Sequence, residues 1–309
     1  MSALELIRVR KSYGAVLALA DYSITVPSGS VTAFVGANGS GKSTAMRLLG
    51  GLRMPDSGEG MYNRRPLVDA DRGRIGHSPE DRGLYPDEVV RAQLQYFAAL
   101  IGLPRAETIV QVESALERVG LAEIADRRFA ALSLGNRQRA QIALALLGSP
   151  EYLLLDEPFS GLDVDGLAQI SELVRSLASD GVGVLVSSHQ LEVVTAVSDR
   201  VAVIANGRSV LEGDLPAVLG TTERTLRLTF QLGTRDFATN PDPETGMRSF
   251  SDRLGGQTRR HADTLIVELP VESGKPVDPA TLAAAAQLGP LVSVQISQPT
   301  LRELLAEQQ

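Results

Sequence analysis

The stretch VTAFVGANGSGKST at residues 31–44 restricts the fold more than any other part of this chain. An apolar, β-branched run leads into a glycine-rich loop, and STAMRLLGGL at 43–52 continues with helical spacing. A buried strand, a tight loop and a helix in that order open an α/β unit. The loop itself fits G-x-x-x-x-G-K-[ST]. Gly36, Gly39 and Gly41 let backbone N–H groups approach phosphate oxygens without a Cβ in the way, and the helix N-terminus adds partial positive charge. Lys42 is placed to reach the β and γ phosphates, and Ser43 to ligate Mg²⁺.

The remaining pattern extends the same unit. LELIRV at 4–9 and YSITV at 22–26 read as short strands, with PSG at 27–29 as a turn. YLLLD (152–156), VGVLVSSH (182–189) and RVAVIANG (200–207) are strands buried on both faces and separated by helical stretches, which predicts a doubly wound parallel sheet. From about Ile75 to Gly148 the spacing is helical, in VVRAQLQYFAALIGL, IVQVESALERVGL and AQIALALLG, with Ser133 as the N-cap of the last of these helices. We expect a helical subdomain over residues 78–148. After LEGDLPAVLG the texture changes to TLRLTFQL, a Pro/Asp/Gly-rich stretch, TLIVELP, ATLAAAAQLG, LVSVQIS and TLRELLAEQ. This predicts a first domain over 1–221 and a small α+β domain over 222–309, closing with a helix.

Composition removes several function classes. Thirty Lys and Arg against 37 Asp and Glu give a formal charge of -7, so there is no basic excess to neutralise a nucleic-acid backbone, and no nucleic-acid partner is expected. Without cysteine there is neither a disulfide nor a thiolate metal site, and His77, His189 and His261 are too scattered for zinc. A reducing cytoplasm fits. No run of about 18 apolar residues offers a membrane span, and charges interrupt the N-terminus where a signal peptide needs its apolar core.

A second acidic element complements the loop. YLLLDEP ends a buried strand in two carboxylates, at the end of the sheet where ligands of open α/β folds sit. Asp156 would hold Mg²⁺, directly or through water, and Glu157 would orient or deprotonate an attacking water.

GANGSGKST and YLLLDEP, together with Tyr13 in KSYG, SPEDRGLYP (78–86), LSLGNRQR (132–139), SGLD (160–163) and SSH ending at His189, occur in an order that resembles the ATP-binding subunits of ABC transporters over residues 4–220. The resemblance implies a P-loop NTPase core binding ATP and Mg²⁺, with Asn38, Ser40 and Thr44 joining the loop glycines around the nucleotide. It implies that Ser133 and Gly135, in the place of an LSGGQ-like signature, face the γ-phosphate bound by another subunit, a second copy or a paralogous ATPase, so that two chains sandwich two ATPs. His189 would contact the γ-phosphate and Tyr13 would stack on adenine or else pack internally. Asp163 would link the two sites or else cap the next helix.

Three positions in two motifs depart from the consensus: Leu134 and Asn136 stand where the signature has Gly and Gln, and Glu80 where a Mg²⁺-sensing Gln is usual. A carboxylate at 80 can also ligate Mg²⁺. LSxGN and PEDRGLYP resemble a bacterial exporter-type branch. The implied assembly is a peripheral subunit on the cytoplasmic face of the membrane, driving a separate integral membrane permease in efflux of drugs, antibiotics or other amphipathic compounds. Residues 83–104 would meet the permease, although Tyr96, Phe97 and Leu100, taken singly, read as internal core. The C-terminal domain would stabilise or regulate the dimer. The alternatives are a non-transport ABC ATPase acting on ribosomes or DNA, and a regulatory ATP-binding module.

Overall fold

The computed structural model describes residues 2–80, 83–189, 191–220, 224–231, 243–261, 263–271 and 277–297. The chain forms two compact units, Met1–Leu215 and Pro216–Gln309. The expected junction at 221–222 and the expected final helix at 300–308 lie outside the described residues.

The first unit runs, in order, through β1 (Ala3–Tyr13), β2 (Val16–Pro27), β3 (Val31–Val35), α1 (Lys42–Leu49), β4 (Ser57–Tyr62), β5 (Arg65–Pro66), β6 (Ile75–Ser78), α2 (Val90–Leu100), α3 (Arg105–Arg118) and α4 (Leu134–Ala145). It continues with β7 (Tyr152–Leu155), α5 (Val164–Ser179), β8 (Gly183–Ser188), α6 (Leu191–Val197), β9 (Arg200–Ala205), β10 (Arg208–Asp214) and α7 (Leu215–Gly220), which straddles the boundary between the units. The second unit contains β11 (Arg224–Gln231), α8 (Pro243–Arg253), β12 (Gln257–His261), β13 (Thr264–Val271), α9 (Pro279–Ala286) and β14 (Leu291–Ser297).

Two sheets build the first unit. The core sheet has the order β10-β9-β3-β8-β7-β6 and is parallel except for β10. Its central strand β3 is buried at every residue, as the uninterrupted run VTAFV requires. A smaller antiparallel sheet has the order β2-β1-β4-β5. α1 sits in the core that both sheets share: Met46, Leu48 and Leu49 pack in one cluster with Leu4 and Leu6 of β1, Tyr22 and Ile24 of β2, Phe34 of β3 and Leu185 of β8. Tyr22 stacks on Phe34 at 6.1 Å between ring centroids. This packing fixes the loop between β3 and α1 from both sides.

Several sequence expectations need correction. β1 and β2 are much longer than LELIRV and YSITV, because the two form a hairpin whose polar residues face solvent on an exposed sheet surface. Residues 75–78 are not helical. They form the parallel edge strand β6, where Gly76 lies so close to α4 that an added Cβ would fall 2.1 Å from the Ala145 carbonyl oxygen. Helix begins only at Val90, and α1 stops at Leu49 instead of continuing to residue 52. β4, β5 and β12 carry too few apolar residues to read as strands.

In the second unit the antiparallel sheet has the order β12-β13-β11-β14. Leu226, Leu228 and Phe230 of β11 and Leu265, Val267 and Leu269 of β13 form its core with Met247 and Phe250 of α8 and Ala285 of α9.

Candidate functional site

The loop between β3 and α1 uses its glycines for different reasons. At Gly36 a Cβ would lie 2.5 Å from both the Ile204 carbonyl oxygen and Ser40 Oγ. At Gly41 the backbone has φ 113° and a Cβ would lie 2.7 Å from the Ala18 carbonyl oxygen, so conformation and space both demand glycine. Gly41 is also the N-cap of α1, where it supplies no side-chain acceptor, and no acidic residue follows in the first turn. The leading N–H groups of α1, at Lys42, Ser43 and Thr44, are therefore left for an anion. Ser40 is buried and its Oγ has no hydrogen-bond partner among the described residues. The Lys42 ammonium, also buried, donates to the carbonyl oxygens of Gly36 at 2.6 Å and Ala37 at 3.2 Å, folding the loop around itself. Asn38 lies in the turn between them.

The acidic strand end meets this loop. Ser43 Oγ donates to Asp156 Oδ2 at 2.9 Å. Ser187 Oγ, fully buried on β8, donates to Asp156 Oδ1 at 2.5 Å and accepts the Glu157 N–H at 2.8 Å. Glu157 has φ 51°, an uncommon conformation for a residue with a side chain. Its buried carboxylate meets the more exposed imidazole of His189, with Oε2 2.9 Å from Nδ1. The sequence expectations include Ser43, Asp156, Glu157 and His189 but miss Ser187, which ties Asp156 to the Glu157 backbone. Its signal was the Ser-Ser pair closing an otherwise apolar strand, where both residues are fully buried. His77, on neighbouring β6, has its pKa lowered by burial and by Arg47, against an opposing pull from Asp156.

The donor set suits Mg²⁺. Among the described residues no cluster of three His, Asp or Glu side chains could form an all-protein metal cage. Mg²⁺ is instead commonly held by one or two protein oxygens together with phosphates and waters. Asp156 and the Ser43 hydroxyl supply such oxygens within hydrogen-bond distance of each other. Glu80 is exposed, two residues beyond the end of β6, where the Ser78 carbonyl accepts the Asp156 N–H at 2.9 Å.

Ser133, Gly135 and Asp163 come together elsewhere, along a cleft of ≈ 330 Å³ that none of residues 36–44 lines. Ser133 caps α4 by accepting the Asn136 N–H at 3.3 Å, and Asp163 caps α5 by accepting the Gly166 N–H at 2.9 Å. The two departures from the signature consensus have local roles. A Cβ on Gly161 would fall 3.1 Å from Leu134 Cδ2, so the leucine packs against the SGLD loop. The Asn136 side-chain oxygen accepts from the Arg139 guanidinium, which also donates to the Val119 carbonyl.

Tyr13 ends β1 with 43 % of its surface exposed, which excludes internal packing. The Lys11 ammonium lies 5.9 Å from its ring centroid and is ion-paired to Asp56 at 2.8 Å. Tyr96 and Leu100, expected in the core, are 57 % and 63 % exposed. The buried stripe of α2 is Val90, Gln93, Leu94 and Ala98, which turns those two side chains outward.

Parallel sheet, phosphate loop and acidic strand end define a P-loop nucleoside triphosphatase. A family model described as ABC transporter matches residues 19–160. An uncharacterized ABC transporter ATP-binding protein of Bacillus subtilis, YhaQ, is 36 % identical over 68 % of this chain and 70 % of its own length. The lantibiotic transport ATP-binding protein SrtF of Streptococcus pyogenes is 34 % identical over 68 % of this chain and 90 % of its own. Other relatives are named for Nod factor export in Paraburkholderia xenovorans, methionine import in Rhodopseudomonas palustris and cobalt import in Rhodobacter capsulatus. Among solved structures, cbiO1 of Clostridium perfringens, part of an ABC transporter complex, has a TM-score of 0.64 at 29 % identity over 70 % of this chain and 89 % of its own. A dimeric ATP-binding cassette bound to ADP and phosphate has a TM-score of 0.61 at 25 % identity over 69 % and 98 %. The chain belongs to the ATP-binding subunits of ABC transporters, ATPases coupled to transport.

Proposed function

We propose that the chain pairs with a second ATPase subunit, a copy or a paralogue, hydrolyses ATP between the two, and drives a separate permease from the cytoplasmic face of the membrane. The observation that carries this reading is the cleft at Ser133, Gly135 and Asp163. None of the phosphate-loop residues lines it. A Cβ on Gly135 would meet only ordinary contacts at 3.8 Å, so the packing of the chain itself does not call for glycine there. A helix N-terminus with a small residue facing outward suits a phosphate held by another subunit.

In the chemistry proposed, the N–H groups opening α1 and the Lys42 ammonium hold the phosphates. Asp156 and Ser43 hold Mg²⁺, with Glu80 as a further oxygen ligand near β6. The metal supplies charge neutralisation on the phosphate oxygens. Glu157 positions or deprotonates the attacking water, and His189, hydrogen-bonded to it, stands beside the γ-phosphate. Tyr13 offers its exposed face to adenine. No described helix is long and apolar enough to cross a membrane. Tyr85, Tyr96, Leu100 and Ile101 are each exposed, and we place the permease's cytoplasmic segment on this stretch. Efflux of an amphipathic compound is the proposed cargo class, supported by the relatives named for lantibiotic transport and Nod factor export.

The test is affinity purification of Glu157→Gln from detergent-solubilised membranes of the host with ATP present. Loss of the carboxylate base lowers turnover by about 10²-fold or more and accumulates an ATP-bound dimer. Co-purification of a stoichiometric polytopic membrane protein is expected. Recovery of ribosomes or other soluble partners alone, or turnover at the wild-type rate, would overturn the proposal.

A further inference from the structure

The two edges of the C-terminal sheet differ in kind. At one edge, β12 reads QTRRH, with Arg259, Arg260 and His261 all exposed. Charge on an edge strand discourages pairing with a second chain. At the other edge, β14 reads LVSVQIS, with neither a charged residue nor proline, and no described strand pairs with its outer side. Val294 and Ile296 lie directly opposite Leu228 and Leu226 of β11, on the face those core leucines use. The cover from α8 and α9 buries the leucines to at most 1 % exposure, yet leaves Val294 at 45 % and Ile296 at 46 %. Val292 is 60 % exposed. A register shift separates Leu291 from Ser293, and from Ser293 onward the ladder is regular.

We infer that β14 is a self-association edge, on which the same strand of a second copy pairs antiparallel about a two-fold axis at Val294. The sequence is self-complementary in that register: Val294 faces its own copy, Ser293 faces Gln295, and Val292 faces Ile296. Apolar residues meet apolar ones and no like charges oppose. A strand pair alone buries less than the roughly 1,200 Å² of a stable interface, so the contact is weak by itself and strengthens when a second contact holds the chains together. That favours a second copy of this chain over a free peptide strand. The inference does not rest on ATP-driven closure, since no phosphate-loop residue takes part.

The chain has no cysteine, so a single introduced thiol reports unambiguously. Residues opposite each other in an antiparallel pair have Cα atoms about 4.5–5.5 Å apart, within the range a disulfide spans. Full-length Val294→Cys, mildly oxidised without nucleotide, is expected to give a reducible dimer much faster than Arg260→Cys on the charged edge. Full-length Val294→Lys is expected to weaken nucleotide-free self-association in sedimentation by about tenfold or more, since the pair would bury two ammonium groups, while ATP affinity is unchanged. Equal crosslinking at the two positions, a wild-type chain that stays monomeric at the highest attainable concentration, or self-association unmoved by Val294→Lys would overturn the inference. Those results would leave ATP-dependent dimerisation standing, because crosslinking and self-association are both measured without nucleotide.

Discussion

Ser187→Ala is the sharpest probe of the acidic centre, because one buried hydroxyl joins two functional residues. Ser187 Oγ donates to Asp156 Oδ1 at 2.5 Å and accepts the Glu157 N–H at 2.8 Å. A hydrogen bond to a charged group contributes about 1.5–3 kcal/mol, and a buried N–H left unpaired costs about 1–3 kcal/mol. Since the two bonds share one oxygen and do not add fully, alanine should destabilise the first unit by about 3 kcal/mol. The same hydrogen bond helps hold Glu157 at φ 51°, a conformation that costs on the order of 1–3 kcal/mol and relaxes once unsupported. A carboxylate displaced by about 1 Å can cost about 10²-fold in rate. Steady-state ATP turnover at saturating ATP and Mg²⁺ should fall by that order, and the urea midpoint should drop. ATP affinity should change by only a few-fold, because the hydrogen bonds of Ser187 Oγ run to Asp156 and Glu157 and not to the loop glycines or Lys42. Wild-type turnover in a clearly destabilised variant would show that Ser187 holds the strand end without positioning Glu157. Unchanged stability would refute the hydrogen-bond argument itself.

The glycines of the loop predict an order of damage. Both Gly39 (φ 78°) and Gly41 (φ 113°) have positive φ, but a Cβ on Gly41 would lie 2.7 Å from a backbone oxygen whereas one on Gly39 meets nothing within 4 Å, so Gly41→Ala should weaken ATP binding in calorimetric titration more than Gly39→Ala; the reverse order would contradict the geometry. Glu212 predicts a pH dependence: burial raises its pKa, partly opposed by the Thr25 N–H bonded at 2.9 Å and by Arg200, so folding favours the protonated form. That contribution is full below the ordinary carboxylate range and is lost as pH rises through the raised value. Glu212→Gln, which keeps an acceptor for Thr25, should therefore melt above the wild type near neutral pH, with the gap closing towards about pH 4; a constant gap would refute the assignment.

The phosphate loop was legible because each residue type answers a local demand. Glycine at 36 and 41 meets space and backbone requirements that no other side chain satisfies, and a strand-to-helix context is visible in the hydrophobic pattern. Ser187 was missed because the serines closing VGVLVSS look like tolerated polar residues until the strand is seen beside Asp156. The same limit hid β6 and β12. IGHS is shaped by its closeness to α4, and QTRRH pairs through its backbone while its side chains remain polar. Tyr96 and Leu100 failed for the opposite reason: apolar residues in a helix suggest burial, yet α2 spends its inward positions on Gln93 and small or aliphatic residues. Gln93 earns that place by bonding the Tyr85 N–H at 2.7 Å and the Tyr85 and Glu88 carbonyls at 3.1 Å, which no periodicity rule foresees.

Three helix N-termini in the first unit carry the logic of an incomplete site. α1 begins at a glycine with no capping side chain, so its orphan N–H groups need a ligand. α5 begins at Asp163, whose carboxylate caps it at 2.9 Å, so that its leading N–H is satisfied by the chain itself. α4 lies between these extremes. Its Ser133 hydroxyl holds the Asn136 N–H at only 3.3 Å, near the weak end of N–H donation, and no acidic residue sits in its first turn. A neutral, loosely satisfied cap can turn from its own helix to an incoming phosphate at little cost, whereas an aspartate cap would repel it. On the proposed reading, the graded capping of α1, α4 and α5 distinguishes a helix that grips nucleotide, one suited to a nucleotide presented by the second subunit, and one that closes on itself. On the proposed two-chain reading, Ser133→Asp should leave ATP binding to the isolated chain intact and abolish closure of the ATP-bound dimer; closure at wild-type affinity would remove α4 from the nucleotide site.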